Sequence, residues 1–205
     1  MKRYIISFLV LLIAYTSGHA QSHTSFAGQD KFIISWEVAF PSNDFITHES
    51  YSGGRIAYAK MVKENLSVGL GGSWNSFSQY VPKTTYQKPD GSGALTSDIV
   101  KEVYSVPLTL DVNYYFKGGK SLVPYVGIGL GGQYSEQTIY FNIYSIGENG
   151  WGFVARPEIG VTYHFNSRSA INLGGIYNYS TVKSDAFNTD QLSHFVLSLG
   201  FVFSE

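Results

Sequence analysis

The closing stretch of the chain, Leu192 to Phe203, constrains its fold more than any other. Alternate positions read Phe195, Leu197, Leu199, Phe201 and Phe203. The positions between them read His194, Val196, Ser198, Gly200 and Val202. Successive side chains of a strand point to opposite faces. This segment therefore has one bulky apolar face and one face of small or weakly polar groups, a period-two pattern that a helix would scramble. Such a strand wants an apolar medium on one side and a narrow, partly polar space on the other.

The same period recurs along the chain. Phe32, Ile34, Trp36, Val38 and Phe40 alternate with Ile33, Ser35, Glu37 and Ala39. A second strand, about 53–61, sets Ile56 and Tyr58 against Arg55, Ala57 and Ala59. A third, about 66–80, sets Leu66, Val68, Leu70 and Trp74 against Ser67, Gly69, Gly71, Ser73 and Asn75. Further segments follow at about 99–116, from Leu122, at 151–165 and at 170–182 before the closing strand. Polar, Pro- and Gly-containing runs separate them. Short turns follow strands two, four and six. Longer loops, placed at 41–52, 81–98, 137–150 and 183–191, follow the odd-numbered strands.

Eight alternating strands with aromatic residues at both heights predict an all-β, eight-stranded antiparallel transmembrane up-and-down β-barrel. Phe32, Phe116, Phe165 and Phe203 fall near one rim. Phe40, Trp74, Tyr104, Tyr134, Trp151 and Tyr179 fall near the other. Only 14% of residues are charged, where a soluble surface carries roughly 25–35%. No apolar run after the N-terminus reaches the roughly 20 residues of a spanning helix. A closed barrel is the other backbone solution in lipid, because it satisfies every donor and acceptor. A soluble β-sandwich with an aromatic core is the alternative.

The start, Met-Lys-Arg-Tyr, an apolar run from Ile5 to Ala14, and Gly18-His19-Ala20 before Gln21 predict a signal peptide over 1–20. A periplasmic lead-in over 21–31 and a barrel over 32–203 follow. Cleavage after Ala20 would remove Lys2 and Arg3, two of 14 basic residues and none of the 15 acidic ones, and move the net charge from −1 to −3. Nothing basic enough for nucleic acid is present. The chain has no cysteine, which excludes disulfides and a thiol nucleophile.

The chain resembles the small eight-stranded outer-membrane barrels of the OmpX and OmpA-transmembrane type. It is especially similar to the outer membrane protein beta-barrel domain proteins common in Bacteroidetes. The residues that carry this are Trp36-Glu37-Val38-Ala39-Phe40-Pro41, Asn65-Leu66-Ser67-Val68-Gly69, Pro124-Tyr125-Val126-Gly127-Ile128-Gly129-Leu130-Gly131 and Arg156-Pro157-Glu158-Ile159-Gly160-Val161, with the aromatic-ended last strand. Such chains often end on the aromatic residue, whereas Ser204 and Glu205 follow here. The resemblance implies the outer membrane of a Gram-negative cell, both termini periplasmic, and a monomer. It implies outer-membrane lipid and lipopolysaccharide as surroundings, and the barrel-assembly machinery as a partner during insertion. Phe201 and Phe203 are the expected insertion signal.

Five firm charges fall on inward positions: Glu37, Arg55, Asp111, Arg156 and Glu158. Eight strands enclose a space that side chains just fill, and charges there must pair. Arg55 and Arg156 are expected to bridge the three carboxylates as a structural network; a proton or ion path is the alternative. For a barrel enzyme the candidates are His48, near Asp44 and Ser50, and the inward His164 and His194. None sits in a nucleophile–base–orienter signature, and no His, Asp or Glu cluster has ligand spacing. No catalytic residue, metal or cofactor is assigned. Function is expected on the loops, in a structural or surface-interaction role. An enzyme acting on lipid or peptide, or a narrow channel, is the alternative. The upper parts of strands three to five are expected to stand beyond the bilayer.

Overall fold

A computed structural model describes residues 28–42, 46–87, 93–116, 121–141, 144–184 and 189–205. The segment read as a signal peptide, most of the lead-in, and Asp44 lie outside them. Among the described residues there are eight strands, all antiparallel to their neighbours. They are β1 (Asp30–Pro41), β2 (Ser50–Lys63), β3 (Leu66–Gln87), β4 (Ala94–Tyr115), β5 (Leu122–Phe141), β6 (Tyr144–His164), β7 (Ser169–Ser180) and β8 (His194–Ser204). Each pairs with the next, and β8 returns to β1, so the sheet closes. Closure removes the edges that lipid could not satisfy.

The seam runs from Lys31↔Ser204 to Pro41↔His194 without a break. Phe32 lies opposite Phe203, and Phe40 opposite Phe195. The two residues beyond Phe203 extend this ladder: Glu205 and Asp30 exchange both backbone hydrogen bonds, at 3.0 and 3.1 Å. We call the end with Asp30 and Glu205 the lower end. The turns at Glu64-Asn65 and 166–168 lie there too.

Side chains sort as the period requires. Ile34, Leu70, Leu110, Ile128, Ile159, Leu173 and Leu199 are exposed on the outer wall. Ser35, Glu37, Arg55, Asp111, Arg156 and Ser198 are buried inside. An outer wall this apolar suits lipid rather than water.

Strand lengths depart from the sequence reading. β3 and β4 have 22 residues each, β5 has 20 and β6 has 21. The other four have 11 to 14. The loops expected at 81–98 and 137–150 are mostly strand: β3 and β4 pair as far as Gln87↔Ala94, and β5 and β6 as far as Phe141↔Tyr144. Pro82 and the polar composition pointed to loop. The pairing tolerates the proline at an irregularity between Val81 and Thr84, where a missing donor does little harm. The four long strands rise above the rim as one wall. β1 begins at Asp30, so Lys31, placed in the lead-in by sequence, belongs to the barrel.

Candidate functional site

The lumen holds every inward charge the sequence singled out, in two groups. Arg55, on β2, donates through Nη2 to Asp111 at 2.6 Å and through Nη1 to Glu158 at 2.8 Å. Thr109 holds the other oxygen of Asp111 at 2.7 Å. Tyr125 donates to Glu158 at 2.5 Å and accepts from Asn172 at 3.0 Å. Arg156, on β6, donates through Nη2 to Glu37 at 2.8 Å and through Nη1 to Ser73 at 2.5 Å. Asn75 holds the second Glu37 oxygen at 3.1 Å. These charge-assisted bonds cross the lumen between strands far apart in sequence.

The inward glycines make this possible. A Cβ added at Gly71 or Gly129 would collide with a carboxylate oxygen of Asp111, and at Gly71 it would also come to 3.3 Å from Arg55 Nε. The small residues that mark the inner face in sequence thus leave the volume that the ion pairs occupy.

Two layers that the sequence reading missed lie below and above. Below, Lys31 is buried, with Nζ 4.0 Å from the centre of the Tyr115 ring, a cation–π contact. Its position two before Ile33 on the inward phase was the available signal. Above, the inner face turns apolar. Phe77 and Val103 of the wall meet Ala39, Ile176 and Val196 of the other strands. Ile46, Val182 and Leu192, from the connections β1–β2 and β7–β8, complete this cluster. The two connections also hydrogen-bond to the wall, Thr47 N–H to Gln79 at 3.1 Å and Ser184 to Glu148. The clue was Phe77 and Val103 on the phase that elsewhere carries Ser and Gly.

Of the three histidine candidates, His164 stands at the lower end of β6, away from the upper end where His48 lies. His48 is exposed at the upper end, and the Ser50 hydroxyl is taken by the Ser76 carbonyl. His194 is fully buried with its ring edge-on to Phe77, centroids 5.2 Å apart. Among the described residues no group of three or more His, Asp or Glu could hold a metal ion. A hollow of about 560 Å³ lies on the outer wall among Ile56, Leu70, Leu108, Leu110 and Leu130. Its lining suits an acyl chain of the surrounding lipid.

Residues 8–203 match the family described as outer membrane protein beta-barrel domain. The chain belongs to that family. It is an outer-membrane β-barrel protein, and the aromatic rims and apolar outer wall are its membrane-facing surface. No curated protein matches the chain. Solved barrels share the fold at low identity. The N-terminal β-barrel domain of Pseudomonas aeruginosa OprF is 14% identical with a TM-score of 0.50, over 87% of this chain and 98% of that one. Ail, the attachment invasion locus protein of Yersinia pestis, is 14% identical with a TM-score of 0.51, over 87% and 99%. OprG of P. aeruginosa is 14% identical with a TM-score of 0.51, over 87% and 96%.

Proposed function

We propose that this outer-membrane barrel works at the cell surface, with its lumen closed and its projecting wall as the contact element. The wall carries the reading. Four strands outgrow their neighbours, and the apolar cluster braces them from inside. The lumen, crossed by two ion-paired groups and roofed by that cluster, supports a structural interior with no open path. A lower end on the periplasmic side fits the short turns there and the wall at the opposite end. Phe201 and Phe203 of the seam strand serve as the insertion signal in this reading, and the barrel stands as a monomer in lipid and lipopolysaccharide.

At each side of the wall the outer strand has no paired strand among the described residues, and the β1–β2 and β7–β8 connections bond to it at Gln79 and Glu148. β2 stops pairing with β3 at Ser52↔Ser76, and β7 stops pairing with β6 at Ser180↔Val154. The β3 edge is guarded by Pro82, Lys83 and the irregularity beside them, devices that discourage strand addition. The β6 edge, Tyr144 to Gly150, has no proline, lysine or irregularity, and Tyr144 and Ile146 are 72% and 59% exposed. An extended segment of a partner protein fits this edge. The Ail barrel was also solved with the heparin analogue sucrose octasulfate. Here the described wall acids Asp98, Glu102, Glu136 and Glu148 outnumber Lys83 and Lys101, which favours a protein strand over a polyanion.

The test compares cells displaying the wild-type barrel with cells displaying Tyr144→Lys/Ile146→Lys, for adherence to a panel of immobilised extracellular proteins. Adherence by wild type, lost in the variant at an unchanged heat-shift on gels, supports the reading. Equal adherence by both, or by neither, counts against it.

A further inference from the structure

The outer wall is not evenly filled. Phe32, Tyr58, Leu70, Leu110 and Leu130 lie opposite one another in turn across β1 to β5. Phe32 stands near the lower end of its strand, Leu70 farther from that end, and Leu130 farther still. The row therefore climbs obliquely from the lower rim into the membrane. Four strand spacings of about 4.8 Å make it roughly 19 Å long, against a half-thickness of about 15 Å for the hydrocarbon core. In the row above it, Ile56 lies opposite Gly72, and Gly72 opposite Leu108.

Gly72 leaves the row open on its upper side. It falls on the outward phase between Leu70 and Trp74, in ordinary strand. Two other outward glycines are covered by rings. A Cβ added at Gly54 would lie 2.6 Å from the Trp74 ring, and one at Gly175 would lie 3.3 Å from that of Phe195. At Gly72 the one atom within 4 Å would be Leu108 Cδ2, at 3.3 Å, the tip of a flexible side chain. The hollow of about 560 Å³ lies over this glycine and the row beneath it.

A second hollow, of about 690 Å³, opens at the lower rim and shares Phe32 and Tyr58 with the first. It is polar where the first is greasy. Asp30 and Glu205 lie opposite each other there. Lys60 lies opposite Asp30, with Nζ 3.4 Å from its carboxylate. Glu205 and Arg168, from the turn before β7, both line the hollow. Neither forms an ion pair among the described residues. Lys31 also lines it but sends its ammonium inside, 4.0 Å from the centre of the Tyr115 ring. Gln29 lines it too, and its Oε1 is buried without a hydrogen-bond partner. One acid and one base thus border the same space without meeting.

An acid and a base held apart suit a ligand that carries both charges. Glu205 repels a purely anionic headgroup, and Arg168 a purely cationic one. A phosphate beside Arg168 and an ammonium beside Glu205 satisfy both with charge-assisted bonds. A primary ammonium also brings N–H donors for the Gln29 oxygen, which a trimethylated one lacks. We propose that the two hollows form one site for a diacyl phospholipid with a zwitterionic, primary-amine headgroup. Its phosphate sits at Arg168, its ammonium at Glu205 and Gln29, and one acyl chain lies below Gly72 along the row from Phe32 to Leu130. The outer wall is the lipid-facing surface of the barrel, and this site holds one lipid molecule at one place on it. It does not depend on the projecting wall binding a partner.

The test uses the full barrel, folded in detergent and checked by heat-shift. Phosphatidylethanolamine, phosphatidylcholine and phosphatidylglycerol with identical acyl chains are offered in equal amounts, and native mass spectrometry counts the lipid retained. One phosphatidylethanolamine per barrel is expected, preferred roughly fivefold over either rival, the worth of one exposed ion pair. Glycerophosphoethanolamine, which has the headgroup and no chains, should not displace it. Gly72→Leu should fill the groove and abolish retention of all three lipids. Glu205→Gln should erase the preference over phosphatidylcholine, and Arg168→Gln should lower retention of all three. Equal retention of the three lipids by wild type, or full retention by a folded Gly72→Leu barrel, overturns the site. Displacement by glycerophosphoethanolamine overturns the groove. If Gly72→Leu fails the heat-shift, the two variants at the exposed lower end decide, and an unchanged pattern in both overturns the proposal.

Discussion

Replacing Arg156 with leucine tests the interior most sharply. Its guanidinium reaches across the lumen to Glu37 at 2.8 Å and to Ser73 at 2.5 Å. The Arg156 side chain is 3% exposed and that of Glu37 is 0%. Without Arg156, Glu37 keeps Asn75 at 3.1 Å and Ser73 at 3.4 Å, both neutral donors. A buried charge stripped of its partner costs about 3–5 kcal/mol. At roughly 2–4 °C per kcal/mol for a chain of this length, Tm should fall by about 6–20 °C. The assay is thermal unfolding of refolded barrel in one detergent, followed by circular dichroism and by the heat-shift on gels. Arg156→Leu combined with Glu37→Leu should recover a large part of the loss, because the second change removes the stranded charge. A single variant within about 2 °C of wild type, below the shift of 1 kcal/mol, or a double variant equal to the sum of its parts, would refute the argument.

Other outcomes follow from the same geometry. Arg55 holds two carboxylates, so Arg55→Met should destabilise more than Asp111→Asn or Glu158→Gln, each of which leaves one pair intact; urea midpoints rank the three. Leu110→Arg places a charge on the outer wall and should cost roughly 2–4 kcal/mol if its site is at mid-membrane, measured by unfolding in lipid bilayers, whereas Ser167→Arg, in an exposed lower turn, should be near neutral. Removing Ser204 and Glu205 breaks the backbone pair with Asp30 and the bond from Ser204 N–H to the Arg168 carbonyl and should leave assembly in cells nearly unchanged, while Phe201→Ala with Phe203→Ala should reduce the folded fraction in membrane preparations.

The barrel was legible because its period-two pattern reports a medium rather than a contact. Each lipid-facing strand must show it, whatever the neighbours do. Inward charges were legible for the same reason, since Glu37 or Arg156 on the small-residue phase has nowhere to go but the lumen. Which arginine meets which carboxylate was not legible. That choice depends on the stagger between strands, and Arg55 reaches Glu158 across 103 positions of sequence. The wall was half visible. Strand four looked too long, but Pro82 and the polar residues that follow it to Gln87 carried loop chemistry that strand pairing overrode. The roof was hidden because Ile46, Val182 and Leu192 lie in connections, where a single apolar residue has no period to reveal its direction. Lys31 was missed at a boundary, since alternation needs several residues before it can be read.

The central claim is that the lumen is closed and the outer surface does the work. Single-molecule conductance of the full barrel in planar bilayers tests it directly. A closed lumen leaves the membrane silent after insertion confirmed by heat-shift of the recovered protein. Discrete, reproducible conductance steps from the unmodified barrel would contradict it.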